Sequence, residues 1–315
     1  MNQRPKVLLY EPMHQKGIDY LKMYADVLYA SSWDEDILCQ EVKDISGIII
    51  RANGKVTTKI MDSAPKLKVI GRHGAGVDNI DLEAAKKRGI TVVNTPHAPA
   101  EAVAEHVIGV MVVLSKRILE SDRALRAGQW DVRYHFQAFE MKGKTLGIVG
   151  MGRIGSRVAE MAKALGMEIL YYDVVVNPQV EGKYDAKKIE LEELLKLSDY
   201  ITLHVPATPE TKYLINAERL KLMKPTAILV NAARGSVVDT MALYDALKSG
   251  KLFGAAIDVF EKEPAPADHP LFSLPNVVVT PHMAGHSDDA LIAMSMVAKD
   301  IIRVIQGQPP EYPVK

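Results

Sequence analysis

Short β-branched runs alternate with helix-period stretches along nearly the whole chain, and this alternation leaves few folds open. Such strands are satisfied by lying parallel in a sheet, with the helices serving as crossovers. The first series is Lys6 to Tyr10, Ala25 to Tyr29, Gly47 to Ile50, Lys68 to Gly71 and Thr91 to Val93. It stops at Asn94-Thr95-Pro96-His97-Ala98-Pro99, which predicts a domain boundary, and one long helix is then expected from Ala100 to Ala127, ended by Gly128. A second series follows at Thr145 to Val149, Glu168 to Tyr172, Tyr200 to Leu203, Ala227 to Val230, Phe253 to Ile257 and Val277 to Val279, six strands in number, as a dinucleotide-binding sheet requires. A final amphipathic helix from about Asp288 to Ile305 precedes a Gly/Pro-rich tail. The predicted class is α/β, with two doubly wound parallel-sheet domains.

Composition narrows the function classes. Lys+Arg and Asp+Glu both number 39, so the net charge is zero and neither a nucleic-acid nor a membrane surface is expected as partner. The longest apolar run, Val107 to Leu114, is far short of the roughly 18 to 20 residues that span a bilayer, and no signal peptide is read at the N-terminus. A single cysteine, Cys39, rules out an intramolecular disulfide and a CxxC site, which fits a reducing compartment and predicts a cytoplasmic protein. Cys39 itself reads as a small residue on an amphipathic helix.

Directly after the apolar run Leu146 to Val149 stands Gly150-Met151-Gly152-Arg153-Ile154-Gly155, followed by the helical pattern Val158, Met161, Ala162, Leu165. A lone GxGxxG is weak evidence, but here it lies between a strand and a helix, and Asp173 ends the next strand. Gly150 permits a tight turn, Gly152 lets a pyrophosphate approach the backbone, and Gly155 lets helix and strand pack closely. Free N–H groups at the helix start then face the phosphates. Asp173 can accept from both adenosine ribose hydroxyls of NAD. The 2′-phosphate of NADP would meet a like charge at a cost of about 1 to 4 kcal/mol at about 4 Å, and Val174, Val175 and Val176 offer no compensating cation. Gly71 to Gly76 resembles a second glycine motif but lacks the third glycine at the right spacing, so it reads as a loop of backbone donors.

Three segments at the ends of late strands carry isolated polar residues: Asn231 to Gly235, Asp258 to Pro264 and Thr280 to Gly285. In an open parallel sheet these carboxyl ends face the ligand crevice. Hydride transfer to a 2-keto acid needs a fork for the carboxylate, an acid for the carbonyl oxygen and a partner for that acid. Arg234 supplies a planar guanidinium that pairs bidentately with a carboxylate. His282 supplies an imidazole, a group that ordinarily titrates near 6.5 and so moves protons both ways. Glu263 orients that imidazole and favours its protonated form. His282 and His286 are four apart but lack the glutamate and helix of a zinc HExxH site, so no metal is expected. Gly235-Ser236-Val237 is not a GxSxG elbow, which removes a serine hydrolase.

The segments GRHGAGVDNID (71–81), GMGRIG (150–155), HVPATPET (204–211), NAARG (231–235), DVFEKEP (258–264) and TPHMAG (280–285) together resemble the D-isomer-specific 2-hydroxyacid dehydrogenases over essentially the whole chain. The resemblance implies a Rossmann-type NAD domain over 99–287 and a flavodoxin-like substrate domain made of 1–98 plus 288–315. It implies Arg234, Glu263 and His282 as the catalytic trio. It also implies cofactor contacts from Arg153 and Ile154 at the pyrophosphate, and from His204, Val205, Pro206 and Thr211 near the adenosine. Ala232, Ala233, Asp258 and Gly285 fall near the nicotinamide, and Val103 on its face.

Within that family the first domain most resembles the 3-phosphoglycerate dehydrogenases. Arg51 then becomes a candidate anion contact, and Gly74, Ala75 and Gly76 offer N–H groups to the substrate carboxylate. His97-Ala98-Pro99-Ala100 departs from the polar run usual there, which leaves D-3-phosphoglycerate, hydroxypyruvate and glyoxylate open. The chain is also shorter than members with a regulatory extension. His73 and His97 lie in candidate substrate loops, whereas His14, His106, His135 and His269 read as packing or solvated residues. A nucleotide-sensing co-repressor on the same fold is the alternative. A hydrolase of the adenosylhomocysteine type would need a longer substrate domain. The stripe Val103, Val107, Val110, Met111 and Leu114, with the family's habit, predicts a homodimer through the cofactor domain.

Overall fold

A computed structural model describes residues 4–314. They form two compact units, one holding the residues up to Pro99 together with those from His286 onward, the other Ala100–Gly285. The first unit contains β1 (Lys6–Leu9), β2 (Asp26–Tyr29), β3 (Gly47–Ile50), β4 (Val69–Arg72) and β5 (Thr91–Asn94), all parallel in the order β2-β1-β3-β4-β5. Both faces of the sheet are covered, which is why Gly47–Ile50 is buried at every position. Ile48, Ile50 and Ile70 face one core, and Val7, Leu9, Ile49 and Val69 the other. The second core includes Val297, Ile301 and Ile302 from the helix Val297–Ile305. Gly71 admits that helix, since a methyl there would lie 2.9 Å from Ile301 and 3.0 Å from Val297.

The expected single last helix is two, Asp288–Ser295 and Val297–Ile305, with Met296 at the join. The cause is a close crossing: Ser295 is fully buried against Gly17, where a Cβ would lie 2.5 Å from the Ser295 carbonyl. Beyond the helix, Asp300 accepts the N–H groups of Glu311 and Tyr312 at 2.9 Å each, and Pro313 bridges antiparallel to Val93.

The second unit contains β6 (Thr145–Val149), β7 (Glu168–Tyr172), β8 (Lys187–Lys188), β9 (Tyr200–Leu203), β10 (Ile228–Asn231), β11 (Gly254–Ile257) and β12 (Val277–Val279), in the order β12-β11-β10-β9-β6-β7-β8. Counted from β6, this is the 3-2-1-4-5-6 order of dinucleotide-binding sheets with one strand more. The sheet has seven strands rather than the expected six because Lys187–Lys188 pairs with Leu170 and Tyr171 at the edge. Two lysines on an edge carry no apolar signal.

The long helix expected over 100–127 is also two, Ala100–Ser115 and Ile118–Arg126, separated by Arg117 at φ 51°. Neither glycine nor proline marks the break. Tertiary contacts hold it instead: Ser115 pairs with the Tyr200 hydroxyl at 2.7 Å, and the Arg117 guanidinium lies 4.2 Å over the Phe136 ring. The stripe Val103, Val107, Val110, Met111 and Leu114 is spent in this unit's own core beside Leu146 and Ile148, so it leaves no face for a second copy. The exposed apolar side chains lie further on, at Ile118, Leu119, Leu125, Trp130 and Tyr134. No helix of the described residues is long and apolar enough to cross a membrane.

Candidate active site

The glycine turn after β6 is shaped for a close ligand. Gly150 has φ 98°, and a Cβ there would meet the His204 carbonyl at 2.8 Å. A Cβ on Gly155 would lie 2.2 Å from the Gly150 carbonyl oxygen, so only glycine lets the helix Arg153–Ala164 start this close to the turn. Gly152 is different: it is exposed and nothing lies within 4 Å of its missing side chain. The first-turn N–H groups of Arg153, Ile154 and Gly155 open on that space, which suits an anion. Asp173, just beyond β7, accepts the Met151 N–H at 2.7 Å and the Val175 N–H at 3.1 Å, which fixes its carboxylate beside the turn. Val174, Val175 and Val176 are exposed around it. Thr211 closes the loop after β9 by donating to the Pro206 carbonyl at 2.6 Å. His204 bonds through Nε2 to Thr202 at 3.0 Å, and Val205 packs on the Leu203 core. These residues fit a dinucleotide.

The three polar segments end β10, β11 and β12. After β10, buried Asn231 donates to the Arg234 carbonyl at 3.0 Å and accepts the Ala233 N–H at 3.1 Å, which shapes the turn carrying Arg234. Arg234 also donates to the Ala233 carbonyl at 2.7 Å. A Cβ on Gly235 would strike the Phe260 backbone at 2.0 Å, so this turn and the next loop are in contact. After β11, Glu263 accepts the Phe260 N–H at 3.0 Å with one oxygen and meets His282 Nδ1 at 2.7 Å with the other. Burial alone would raise the Glu263 carboxyl, but the hydrogen bonds from His282 and Phe260 outweigh it. With the charges of His282 and Arg234 they hold it below the usual glutamate range. The trio of Arg234, Glu263 and His282 is therefore brought together within one unit.

His282 adopts φ 51°, a left-handed conformation that costs energy in a residue with a Cβ and persists where its surroundings impose it. Asp258 imposes it. Its carbonyl accepts the His282 N–H at 2.8 Å, and its carboxylate accepts the N–H groups of Met283 at 2.8 Å and Ala284 at 3.0 Å and the Thr280 hydroxyl at 2.5 Å. Asp258 is 2% exposed, so its carboxylate serves the histidine loop. That clamp, like the one made by Asn231, was not read from the sequence, although a buried polar residue at a strand end was its visible trace. Val103 and Ala233 are buried, Ala232 packs against the core, and Gly285 is half-buried next to Ala284.

In the first unit, Arg51 follows β3 and His73 follows β4, and the His73 N–H extends the ladder to the Ile50 carbonyl at 2.9 Å. Arg51 is half-buried and donates to the Pro12 carbonyl. His73 is 3% exposed, and its Nε2 has no hydrogen-bond partner. Burial, with the charges of Arg51, Arg72 and His286, pushes its titration down to about 3, so it is a neutral residue and no proton donor. Of the three expected carboxylate donors, Gly74 is engaged: its N–H goes to Thr95 Oγ1 at 3.0 Å. Among the described residues the N–H groups of Ala75 and Gly76 find no acceptor.

The sequence profile of the D-isomer specific 2-hydroxyacid dehydrogenases, NAD binding domain, matches residues 108–284. The chain is 43% identical over 308 residues to a D-3-phosphoglycerate dehydrogenase of Methanocaldococcus jannaschii, an alignment covering 97% of this chain and 58% of that one. It is 40% identical to a glyoxylate reductase of Thermococcus litoralis, covering 98% and 96% of the two chains. Its structure resembles that of the TT0316 protein of Thermus thermophilus with a TM-score of 0.91 at 38% identity, covering 98% of this chain and all of that one. The chain belongs to the D-isomer specific 2-hydroxyacid dehydrogenase family and carries its NAD-binding domain. It spans little more than half the length of the phosphoglycerate enzyme it matches.

Proposed function

We propose that the protein interconverts a short D-2-hydroxy acid and its 2-keto acid with NAD as the redox partner. The observation that carries this reading is the contact of His282 with Glu263 at 2.7 Å beside Arg234, in the unit that holds the glycine turn. The glycine turn, with the first-turn N–H groups of Arg153, Ile154 and Gly155, would hold the pyrophosphate of NAD, whose nicotinamide would supply or accept the hydride. Arg234 pairs with the substrate carboxylate. Because Nδ1 of His282 is taken by Glu263, Nε2 is the nitrogen that hands a proton to the carbonyl oxygen in reduction and removes the hydroxyl proton in oxidation. Glu263 stays ionised and stabilises the imidazolium form. Asp173 selects NAD over NADP through the charge repulsion of a 2′-phosphate.

The names of the relatives and Arg51 support 3-phosphohydroxypyruvate, hydroxypyruvate and glyoxylate as substrates in the reductive direction. We further infer a homodimer, supported by the exposed apolar residues of 118–134 rather than by the preceding helix, and a cytoplasmic location, supported by the single buried Cys39. The zero net charge supports a reading in which nucleic acid is not a partner. The test is NADH oxidation with a panel of the three keto acids and pyruvate. Turnover of at least one is expected, and NADH consumption by none would remove the reading.

A further inference from the structure

Met151, the residue between the two turn glycines, has both of its backbone groups taken by the segment that follows β7. Its N–H goes to Asp173 at 2.7 Å, and its carbonyl accepts the side-chain amide of Asn177 at 3.1 Å. Gly150 is held by the end of the same strand, its N–H donating to the Tyr172 carbonyl at 2.8 Å. Asn177 is half-buried, and the two ends of its side chain act separately. Its Oδ1 accepts the Val180 N–H at 3.3 Å and caps the helix Pro178–Tyr184, as a Ser, Thr or Asp would also do. Its Nδ2 reaches back to the Met151 carbonyl and to the Ser156 hydroxyl, 3.4 Å away, and of the capping residues only asparagine carries a donor with that reach. Ser156 lies in the helix Arg153–Ala164 and donates to the same Met151 carbonyl at 3.4 Å, so the amide joins the turn to the helix that follows it. Asn177 is itself anchored: its N–H donates to the hydroxyl of fully buried Tyr171 at 3.0 Å, and that hydroxyl donates to Glu181 at 2.7 Å.

We propose that Asn177 is a positioning residue for the cofactor, its amide latching the glycine turn so that the first-turn N–H groups of Arg153, Ile154 and Gly155 are preset for a pyrophosphate. The proposal rests on the reading that this turn takes the pyrophosphate. Without the amide the Met151 carbonyl keeps only the long bond from Ser156, and nothing lies within 4 Å of the missing Gly152 side chain to restrain the turn. A loosened turn must be ordered again when the ligand binds, which weakens every ligand that carries the pyrophosphate. Asp173 keeps its own bonds to the Met151 and Val175 N–H groups when the amide is removed, so a ligand that lacks phosphate is unaffected.

The test uses Asn177→Ser, which keeps the helix cap and loses the amide, beside wild type and Gly152→Ala. NADH is titrated by its fluorescence, and ADP and adenosine by displacement of NADH. In Asn177→Ser the affinities for NADH and ADP, which share the pyrophosphate, are expected to fall about tenfold and by equal factors, whereas that for adenosine stays within about twofold. The unfolding midpoint stays near that of wild type because the cap remains. NADH affinity unchanged in Asn177→Ser but lost in Gly152→Ala overturns the latch and leaves the pyrophosphate at the turn. Normal NADH binding by both removes the turn as the pyrophosphate site and the latch with it. An equal loss for adenosine, ADP and NADH also overturns the proposal, since it places the effect of Asn177 on the adenosine rather than on the turn. Should Asn177→Ser fail to fold, Ser156→Ala decides in its place. It removes the other donor to the Met151 carbonyl and leaves the cap, and it is expected to weaken NADH and ADP about threefold with adenosine unchanged. Equal affinities in Ser156→Ala and wild type then overturn the latch.

Discussion

At the scale of single residues the proposed chemistry rests on two groups, the Arg234 guanidinium for the substrate carboxylate and the Glu263 carboxylate on the His282 imidazole. Arg234→Lys keeps the charge and loses the fork, so kcat/KM for reduction should fall by about 2 to 4 kcal/mol, roughly 30-fold to 1000-fold, with NADH affinity little changed. A variant within threefold of wild type would take Arg234 out of the substrate site. Glu263 lies below the usual glutamate range because the hydrogen bonds from His282 and Phe260, with the charges of His282 and Arg234, outweigh its burial. Glu263→Gln keeps shape and removes the charge, so reduction, which starts from the protonated imidazole, should lose rate at lower pH than in wild type. Oxidation should gain rate at lower pH for the same reason. The measurement is kcat/KM against pH in both directions with cofactor saturating. A reductive basic limb that stays in place, or moves upward, shows that Glu263 does not act on the proton.

At the scale of elements, the glycine turn separates packing from ligand approach. Gly155→Ala forces a methyl to 2.2 Å from a carbonyl oxygen, and the helix Arg153–Ala164 must move away from β6, at a cost of about 1 to 3 kcal/mol in stability. Gly152→Ala meets nothing within 4 Å, so the unfolding midpoint should stay near wild type while NADH affinity falls more than tenfold. Fluorescence titration of NADH beside thermal unfolding reads both, and normal NADH binding by Gly152→Ala would place the pyrophosphate elsewhere. The strands and the glycine turn were legible because buried parallel strands such as Gly47–Ile50 read as continuous apolar runs. The meeting of Glu263 with His282 had its trace in isolated polar residues at strand ends. The breaks at Arg117 and Met296 were not, because each is set by a distant partner, Tyr200 or Gly17, rather than by a local glycine or proline. The engagement of Gly74 by Thr95 was hidden for the same reason: it joins residues 21 apart.

At the scale of the whole molecule, a buried neutral histidine links stability to pH. His73 titrates near 3 when folded and near 6.5 when unfolded, so the unfolded chain takes up a proton that the folded one refuses. Its penalty starts as pH falls below about 6.5, reaches about 2 kcal/mol at pH 5 and grows until about pH 3. His204, also pushed down to about 3 by burial, acts in the same direction. Urea unfolding at pH 7.5, 6 and 5 should show the decline, with a shallower slope in His73→Gln, and a stability independent of pH in this range would contradict it. Assembly is tested separately: light scattering at micromolar concentration should give twice the 34.7 kDa chain mass, and Trp130→Glu with Leu125→Glu should lower it. In the proposed reaction proton and hydride reach one carbonyl, with His282 as the acid. The most direct measurement is the rate of NADH oxidation by the best keto acid of the panel in wild type and His282→Asn, with NADH affinity determined for both. Wild-type turnover, about a thousandfold loss in His282→Asn and unchanged NADH binding are the predicted result, whereas a variant that keeps more than a tenth of the wild-type rate would contradict it.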